Sequence, residues 1–139
     1  MASIVYNSFL EDLGRGDIDL DTDTFKVLLV ENTYTEDKTH MTRADVVGDE
    51  ATGTGYTAGG ETTTLTLTKD NVNDRLDVEF SNVSWANSTI TAAGAVIYKD
   101  NGGAASGDPL VCFVDFNQDI SSTNAAFAVT FSAPLRFQN

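Results

Sequence analysis

Short strand-like segments separated by turn residues are the feature that most constrains the fold of this 139-residue chain. The run Phe25–Val30 is almost continuously apolar, as in a strand that is buried on both faces. Other runs alternate apolar with polar residues, as in strands with one buried face; they are residues 62–68, 76–80 and 127–131. Turn-prone residues at 69–71 and 73–74 separate the first two runs, which are therefore predicted to form a hairpin. Such segments at intervals of roughly ten residues predict an all-β fold, an antiparallel β-sandwich, with a jelly roll as one specific topology.

One helix is predicted at the N-terminus, over about residues 3–13. Val5, Phe9 and Leu13 recur at a spacing of four, which places them on one face of a helix. Ser3 is a suitable capping residue at the start, and Gly14 or Gly16 can end the helix. We therefore expect a short helix that packs on the sheet.

Two segments are predicted to lie outside the sandwich within a single domain spanning residues 1–139. Residues 32–60 are polar and rich in Gly and Thr, with little periodicity, which indicates a long loop. Loops of more than about 12 to 15 residues are often functional, so we expect a surface arm or a partner contact there. Residues 133–139 follow the last alternating run and are predicted to form a C-terminal tail.

The charge of the chain excludes some partner classes. The formal net charge is −13, and the eight Lys and Arg residues are scattered rather than clustered. Without a basic patch nothing displaces counterions from phosphates, so nucleic acid is not an expected partner.

No stretch reaches the ~20 consecutive apolar residues that would cross a bilayer, and the N-terminus lacks the features of a secretory signal. We expect cytoplasmic synthesis and no membrane partner.

The chain has few of the residues from which catalytic sites are built. His40 and Cys112 are the single His and the single Cys. His40 is expected to be solvated in a loop, and Cys112 to be a small buried hydrophobic residue. Neither a G-x-S-x-G nucleophile elbow nor a phosphate-binding loop occurs. These features predict that the protein is not an enzyme and uses no cofactor.

Four carboxylates alternate with other residues at Asp17, Asp19, Asp21 and Asp23, and they are the candidates for a metal site. Ca²⁺ binds several such oxygens, but the spacing does not fit the helix-loop-helix calcium motif, because Gly and Glu are missing at the required positions. The preferred interpretation is a strand that exposes the carboxylates and buries Ile18 and Leu20. No metal is therefore expected.

Several segments resemble a family of small virion proteins of tailed bacteriophages. They cover most of the chain in consistent order: residues 6–9 (YNSF), 18–29 (IDLDTDTFKVLL), 53–60 (GTGYTAGG), 88–100 (STITAAGAVIYKD), 109–111 (PLV) and 114–116 (VDF). The resemblance implies a structural protein of the virion, most similar to a capsid decoration, or cement, protein on the capsid surface. It also implies the major capsid protein or other virion proteins as partners, and we expect a homo-oligomer.

A decoration protein needs surfaces that hold its neighbours. We place them at the N-terminal helix, the long loop and the C-terminal tail, where apolar side chains have little core to join. The candidates are Val5, Tyr6, Phe9, Tyr34, Tyr56, Leu135 and Phe137.

Two alternatives remain open from the sequence. The first is a tail, neck or fibre component, which would be present in few copies per particle. The second is a carbohydrate-binding β-sandwich module. That module would need Trp85 and the tyrosines on an exposed face, whereas a structural role predicts that Trp85 is mostly buried.

Overall fold

The computed structural model of the protein describes residues 2–139, which form one α-helix, ten β-strands and three short 3-10 helices. In chain order the elements are β1 (Ile4–Val5), α1 (Asn7–Arg15), β2 (Phe25–Val30), the 3-10 helices Arg43–Asp45 and Val47–Asp49, β3 (Gly53–Thr54), β4 (Glu61–Thr63), β5 (Leu65–Asp70), β6 (Arg75–Phe80), β7 (Val83–Lys99), the 3-10 helix Ala105–Gly107, β8 (Leu110–Ser121), β9 (Ala125–Val129) and β10 (Leu135–Gln138).

The larger sheet has seven strands and is organised around β7. Strand β7 pairs antiparallel with β2 on one edge and with β8 on the other, and its C-terminal half is buried. Small side chains allow this close packing, because a Cβ at Gly94 would lie 2.4 Å from the ring of Phe113.

Strands β8 and β9 follow one another along the same edge of β7. Strand β8 pairs with residues 91–98 of β7, and β9 pairs with residues 83–88. The chain passes between the two at residues 122–124, where Ser88 Oγ lies 2.8 Å from Ser122 Oγ and donates to the carbonyl of Ala125. On the other edge of β8, the two-residue strand β1 pairs only with Cys112 and Phe113.

The smaller sheet has three strands in the order β10, β6, β5. Strands β5 and β6 form the predicted hairpin, in which Leu67 faces Val78. The predicted C-terminal tail is wrong for most of its length, because β10 pairs antiparallel with β6 and places Leu135 opposite Val78. The alternation of apolar with polar residues in this short segment matches the pleat of an edge strand, and this allows it to join the sheet.

Two clusters of buried side chains hold the fold together. One lies between the two sheets and includes Val27, Trp85 and Phe127. The other lies on the opposite face of the larger sheet, where the N-terminal segment and the long loop cover it, and includes Val96. The mainly β, antiparallel, sandwich-like fold with one N-terminal helix is confirmed. A jelly roll has eight strands in two Greek keys, and sheets of seven and three strands do not have that arrangement.

Helix α1 begins later than predicted and is not capped by Ser3. Its N-cap is Tyr6, which makes no side-chain capping bond, while Ser3 Oγ accepts a hydrogen bond from the amide of Asp115. Gly16 ends the helix in the left-handed conformation, with φ of 79°, as predicted. The register of β1 with β8 explains the late start, because Ile4 and Val5 are held extended in the sheet.

Residues 32–60 have little regular structure, yet they are not the surface arm that their polarity predicts. Val46 and Ala51 are buried, and Val30 and Glu50 form an isolated antiparallel bridge. A capping box in which Thr42 and Asp45 satisfy each other's backbone groups stabilises the first 3-10 helix of this loop. The loop therefore folds back onto the larger sheet as part of the domain.

Candidate interaction surface

Two of the predicted interface residues, Tyr6 and Tyr34, lie in the interior, and their predicted role as partner contacts is wrong. Tyr6 is fully buried and Tyr34 is 1% exposed. Their hydroxyl oxygens are 2.8 Å apart, and Tyr34 Oη lies 3.1 Å from Nδ1 of His40. Burial raises the pKa of both phenols, so they remain neutral. The two hydroxyl groups form a hydrogen bond with each other, and this allows two large aromatic side chains to be buried in the core.

This arrangement also changes the interpretation of His40. The sequence predicts a solvated loop histidine, and His40 does lie in the loop. Its ring is half-buried, however, and packs at 5.8 Å from the ring of Tyr34. His40 thus lies between the tyrosine pair and the protein surface, in contact with Tyr34.

Phe9 is a third predicted interface residue that the structure places in the core. It is fully buried, and its ring centroid lies 6.5 Å from that of Phe137 on β10. Phe137 is itself half-buried against the same core. The helix and the last strand therefore cover each other, so the predicted role of Phe9 as a partner contact is wrong.

Tyr56 is half-buried and anchors the long loop. Its hydroxyl donates to Glu50 Oε1 at 2.7 Å and accepts a hydrogen bond from the amide of Leu29 at 3.1 Å. Its ring lies 5.5 Å from that of Trp85. Both the hydroxyl and the ring of Tyr56 thus make contacts inside the domain. Tyr56 is therefore a structural residue rather than a free contact for a partner.

The four Asp residues of the carboxylate series lie in a turn, and the predicted strand is wrong. Asp19 accepts hydrogen bonds from the amides of Asp21 and Thr22, and Asp23 accepts one from the amide of Asp19. The backbone bond from Asp21 is the main reason why the pKa of Asp19 is lowered. Ile18 and Leu20 do face the core, as predicted.

Carboxylates of this series accept hydrogen bonds within the turn, and one of them also forms an ion pair. Asp23 Oδ2 lies 3.0 Å from Lys99 Nζ. No group of three or more His, Cys, Asp or Glu side chains within residues 2–139 is arranged to hold a metal ion. No helix in the same range is both long enough and apolar enough to span a membrane.

Cys112 and Trp85 are buried, as the sequence predicts. Burial raises the pKa of the Cys112 thiol to about 12, so the reactive thiolate is not formed near neutral pH. Trp85 is 2% exposed, and its Nε1 has no hydrogen-bond acceptor among the described residues. Since Tyr34 and Tyr98 are also buried, the aromatic side chains do not form the exposed platform that a carbohydrate-binding module would use.

A surface groove of about 600 Å³ lies at one end of the smaller sheet, and its lining includes charged residues such as Lys69, Asp70 and Arg136. Two of its cations, Arg75 and Arg136, are paired with carboxylates. Arg136 Nε donates to Asp77 at 2.7 Å, and Arg75 Nε lies 3.3 Å from Asp70. Because cations and carboxylates alternate there, this groove offers no concentrated charge of either sign.

A second surface depression is apolar and follows the outer edge of β8 and β9; we call it the apolar groove. Its first section, of about 250 Å³, lies between β1, β8 and the segment before β10, and its second, of about 330 Å³, lies between β8 and β9. Val114 and Phe131 belong to both sections, so the groove is continuous. Its other apolar lining residues include Val5, Phe116, Ile120 and Leu135.

The apolar groove includes two of the predicted interface residues, Val5 and Leu135, which are half-buried. Sequence analysis missed Phe116, Ile120 and Phe131, which are also partly exposed. The alternation in β9 indicated a strand but not that its outer edge lacks a neighbour. Edge position depends on strand order, which an isolated run of residues does not encode.

Comparisons with family models, with curated proteins and with solved structures found no match to this chain.

Proposed function

We propose that this chain is a structural protein of a tailed-bacteriophage particle, and that it binds the outer surface of the capsid as a decoration, or cement, protein. The apolar groove is the observation that carries this proposal, because it groups apolar side chains that are open to solvent. The resemblance of the segments described above to virion proteins supplies the kind of partner.

The first section of the groove is the proposed contact with the capsid. It brings together Val5 near the N-terminus and Leu135 near the C-terminus, so one capsid segment seated there would contact both ends of the chain. Half-buried residues such as these lose their remaining contact with water in a complex, which provides the hydrophobic contribution to binding. The acidic surface elsewhere keeps the free protein soluble before it binds.

Stabilisation of the particle follows from this contact by mass action. A protein that binds the assembled shell but not the separated subunits shifts the equilibrium toward the shell. Since an icosahedral shell repeats each junction many times, a modest contact at every junction is sufficient. No group that changes a substrate is involved in this function.

The experiment compares particles that lack the protein with particles to which it has been added back. We expect bare particles to break open at a lower temperature, and wild-type protein to restore the higher temperature. Ala133→Asp places a charge in the first section of the groove, at an exposed position outside the strands, and should abolish this restoration. Ala104→Asp is the matched control, because Ala104 is also exposed but does not line the apolar groove.

Two results would contradict the proposal. Equal robustness of particles with and without the protein would remove the cement role. Counting copies in purified virions by quantitative gel tests the location, since a decoration protein is present in hundreds of copies. A count of only a few copies would favour the tail, neck or fibre alternative.

A further inference from the structure

The outer edge of β9 has no strand partner within residues 2–139. Strand β9 pairs with β7 along one edge only, and β1 reaches no further along the neighbouring β8 than its pairs with Cys112 and Phe113. The backbone N–H and C=O groups on the other edge of β9 are therefore available to a further strand. Sheet edges of this kind readily pair with another chain unless the protein protects them.

Charge protects the other long edges of this protein but not β9. The outer strands β4, β5 and β10 contain Glu61, Lys69 with Asp70, and Arg136, respectively. In contrast, residues 120–135, which include all of β9, contain no charged residue in a chain whose net charge is −13. Its solvent-facing side chains are small, at Ala126 and Ala128. This edge thus lacks the feature that keeps the others from pairing.

An apolar surface lies directly beside this edge. The second section of the apolar groove is bordered by β9 itself and by Phe116 and Ile120 of β8, and Ile120 is 37% exposed. A strand added to β9 would lie over this section and cover it. Backbone pairing and apolar burial would then act on the same incoming segment.

We propose that a second copy of this chain occupies the edge, so that the β9 strands of two copies pair antiparallel about a two-fold axis. A two-fold contact requires that one surface be complementary to itself, and two antiparallel edges with small uncharged side chains meet this condition. The sheets of the two copies then join into one continuous sheet.

Charge favours a second copy at this edge over the charged outer strands β4, β5 and β10. Two chains of net charge −13 repel each other, and the repulsion is smallest where both approach with an uncharged surface. Stable interfaces usually bury more than about 1,000 Å² in total, and five paired residues alone would be too few. The adjoining groove supplies the additional apolar area, from Phe116, Ile120 and Phe131 of each copy.

This inference goes beyond capsid binding, and it is tested on the isolated protein by sedimentation equilibrium over a range of concentrations. We expect a monomer–dimer equilibrium that shifts toward the dimer as salt is raised, because salt screens the repulsion between two acidic chains. Ala128→Lys should weaken the dimer at least about tenfold, because two like charges would then lie close together across the two-fold axis.

Thr66→Lys on β5 is the matched control, since it makes the same change in net charge at an exposed position of a different edge strand. It should leave the dimer dissociation constant unchanged. Unaltered melting temperatures of both variant monomers would show that they fold. A protein that stays monomeric at all concentrations, or one whose dimer is weakened equally by both substitutions, would overturn the inference. Neither result depends on whether the chain binds capsids.

Discussion

The hydroxyl groups of Tyr6 and Tyr34 lie 2.8 Å apart in the interior, although the two residues are separated by 28 positions in the chain. The contact joins the start of α1 to the long loop. It shows that this loop is part of the core, and that the aromatic residues near the N-terminus stabilise the domain itself rather than a complex.

Removing the two hydroxyls should have unequal effects. Tyr34→Phe leaves the buried hydroxyl of Tyr6 without a partner among the described residues, which should cost about 1 to 3 kcal/mol of unfolding free energy. Tyr6→Phe should cost less, about 0.5 to 1.5 kcal/mol, because Tyr34 keeps its contact with His40. Urea unfolding followed by Trp85 fluorescence measures both. In the double variant the loss should be smaller than the sum, and strict additivity would contradict the pairing.

The ion pair between Arg43 and Asp108 should be the most important one for stability. Arg43 Nε lies 2.8 Å from Asp108 Oδ2, whose side chain is fully buried and also accepts a hydrogen bond from the amide of Asn101. Asp108→Ala leaves a largely buried guanidinium without its partner and should cost about 2 to 4 kcal/mol in urea unfolding.

The control for this ion pair is Glu11→Ala, because Glu11 and Arg15 form an exposed pair on α1. Its free energy of unfolding should stay close to that of the wild type, since solvent-exposed pairs contribute little. Similar losses in the two variants would contradict the distinction between the buried and the exposed pair.

Gly94 is expected to tolerate no larger residue. A Cβ there would lie 2.4 Å from the ring of Phe113 and 2.8 Å from the carbonyl oxygen of Val114. Gly94→Ala should therefore lower the unfolding free energy by about 1 to 3 kcal/mol or more through overpacking. Gly14→Ala in α1 is the control, because nothing lies within 4 Å of its Cβ position. Alanine in a helix should stabilise by about 0.5 to 1 kcal/mol. Changes of the same sign in both variants would rule out the steric explanation.

Acid should destabilise the protein as the pH falls below about 4. The pKa of Asp77 is lowered chiefly by its hydrogen bond from Arg136, and that of Asp45 by the amide of Met41. A carboxylate whose pKa is lower in the folded state contributes stability above its unfolded pKa of about 3.9, and this stability is lost as the pH falls through the folded value. Melting temperatures from pH 3 to pH 8 measure the effect.

The role of Asp77 in this acid response can be isolated with Arg136→Gln. Without the guanidinium, the pKa of Asp77 should return toward its ordinary value, and the drop in melting temperature below about pH 4 should be smaller than in the wild type. A melting temperature that stays constant from pH 5 to pH 3 in the wild type would contradict the prediction.

The parts of the fold that sequence analysis predicted correctly are those with a local signature. The apolar run of β2, the hairpin of β5 and β6, and the end of α1 at Gly16 each depend on residues close together in the chain. The segment from Asp17 to Asp23 is a turn rather than the predicted strand. Alternating Asp residues are compatible with a pleated strand, but their carboxylates can also accept hydrogen bonds from nearby backbone amides and so stabilise a turn.

The interface candidates show why surface location was harder to predict. Tyr6, Phe9 and Tyr34 are aromatic residues in segments that looked peripheral, yet each is buried by a segment distant in sequence. Phe9, for example, is covered partly by Phe137, near the opposite end of the chain. Only Val5 and Leu135 of the seven candidates line the apolar groove.

The amino-acid sequence by itself determined the class of the fold, the strong negative charge and the scarcity of residues for catalysis, because these depend on composition and on periodicity along the chain. Tertiary structure alone decided which apolar residues are covered and which strand edge stays open. Burial and pairing depend on which distant segments meet, and β9 is left with an unpaired, uncharged edge only because of where the chain places it beside β7.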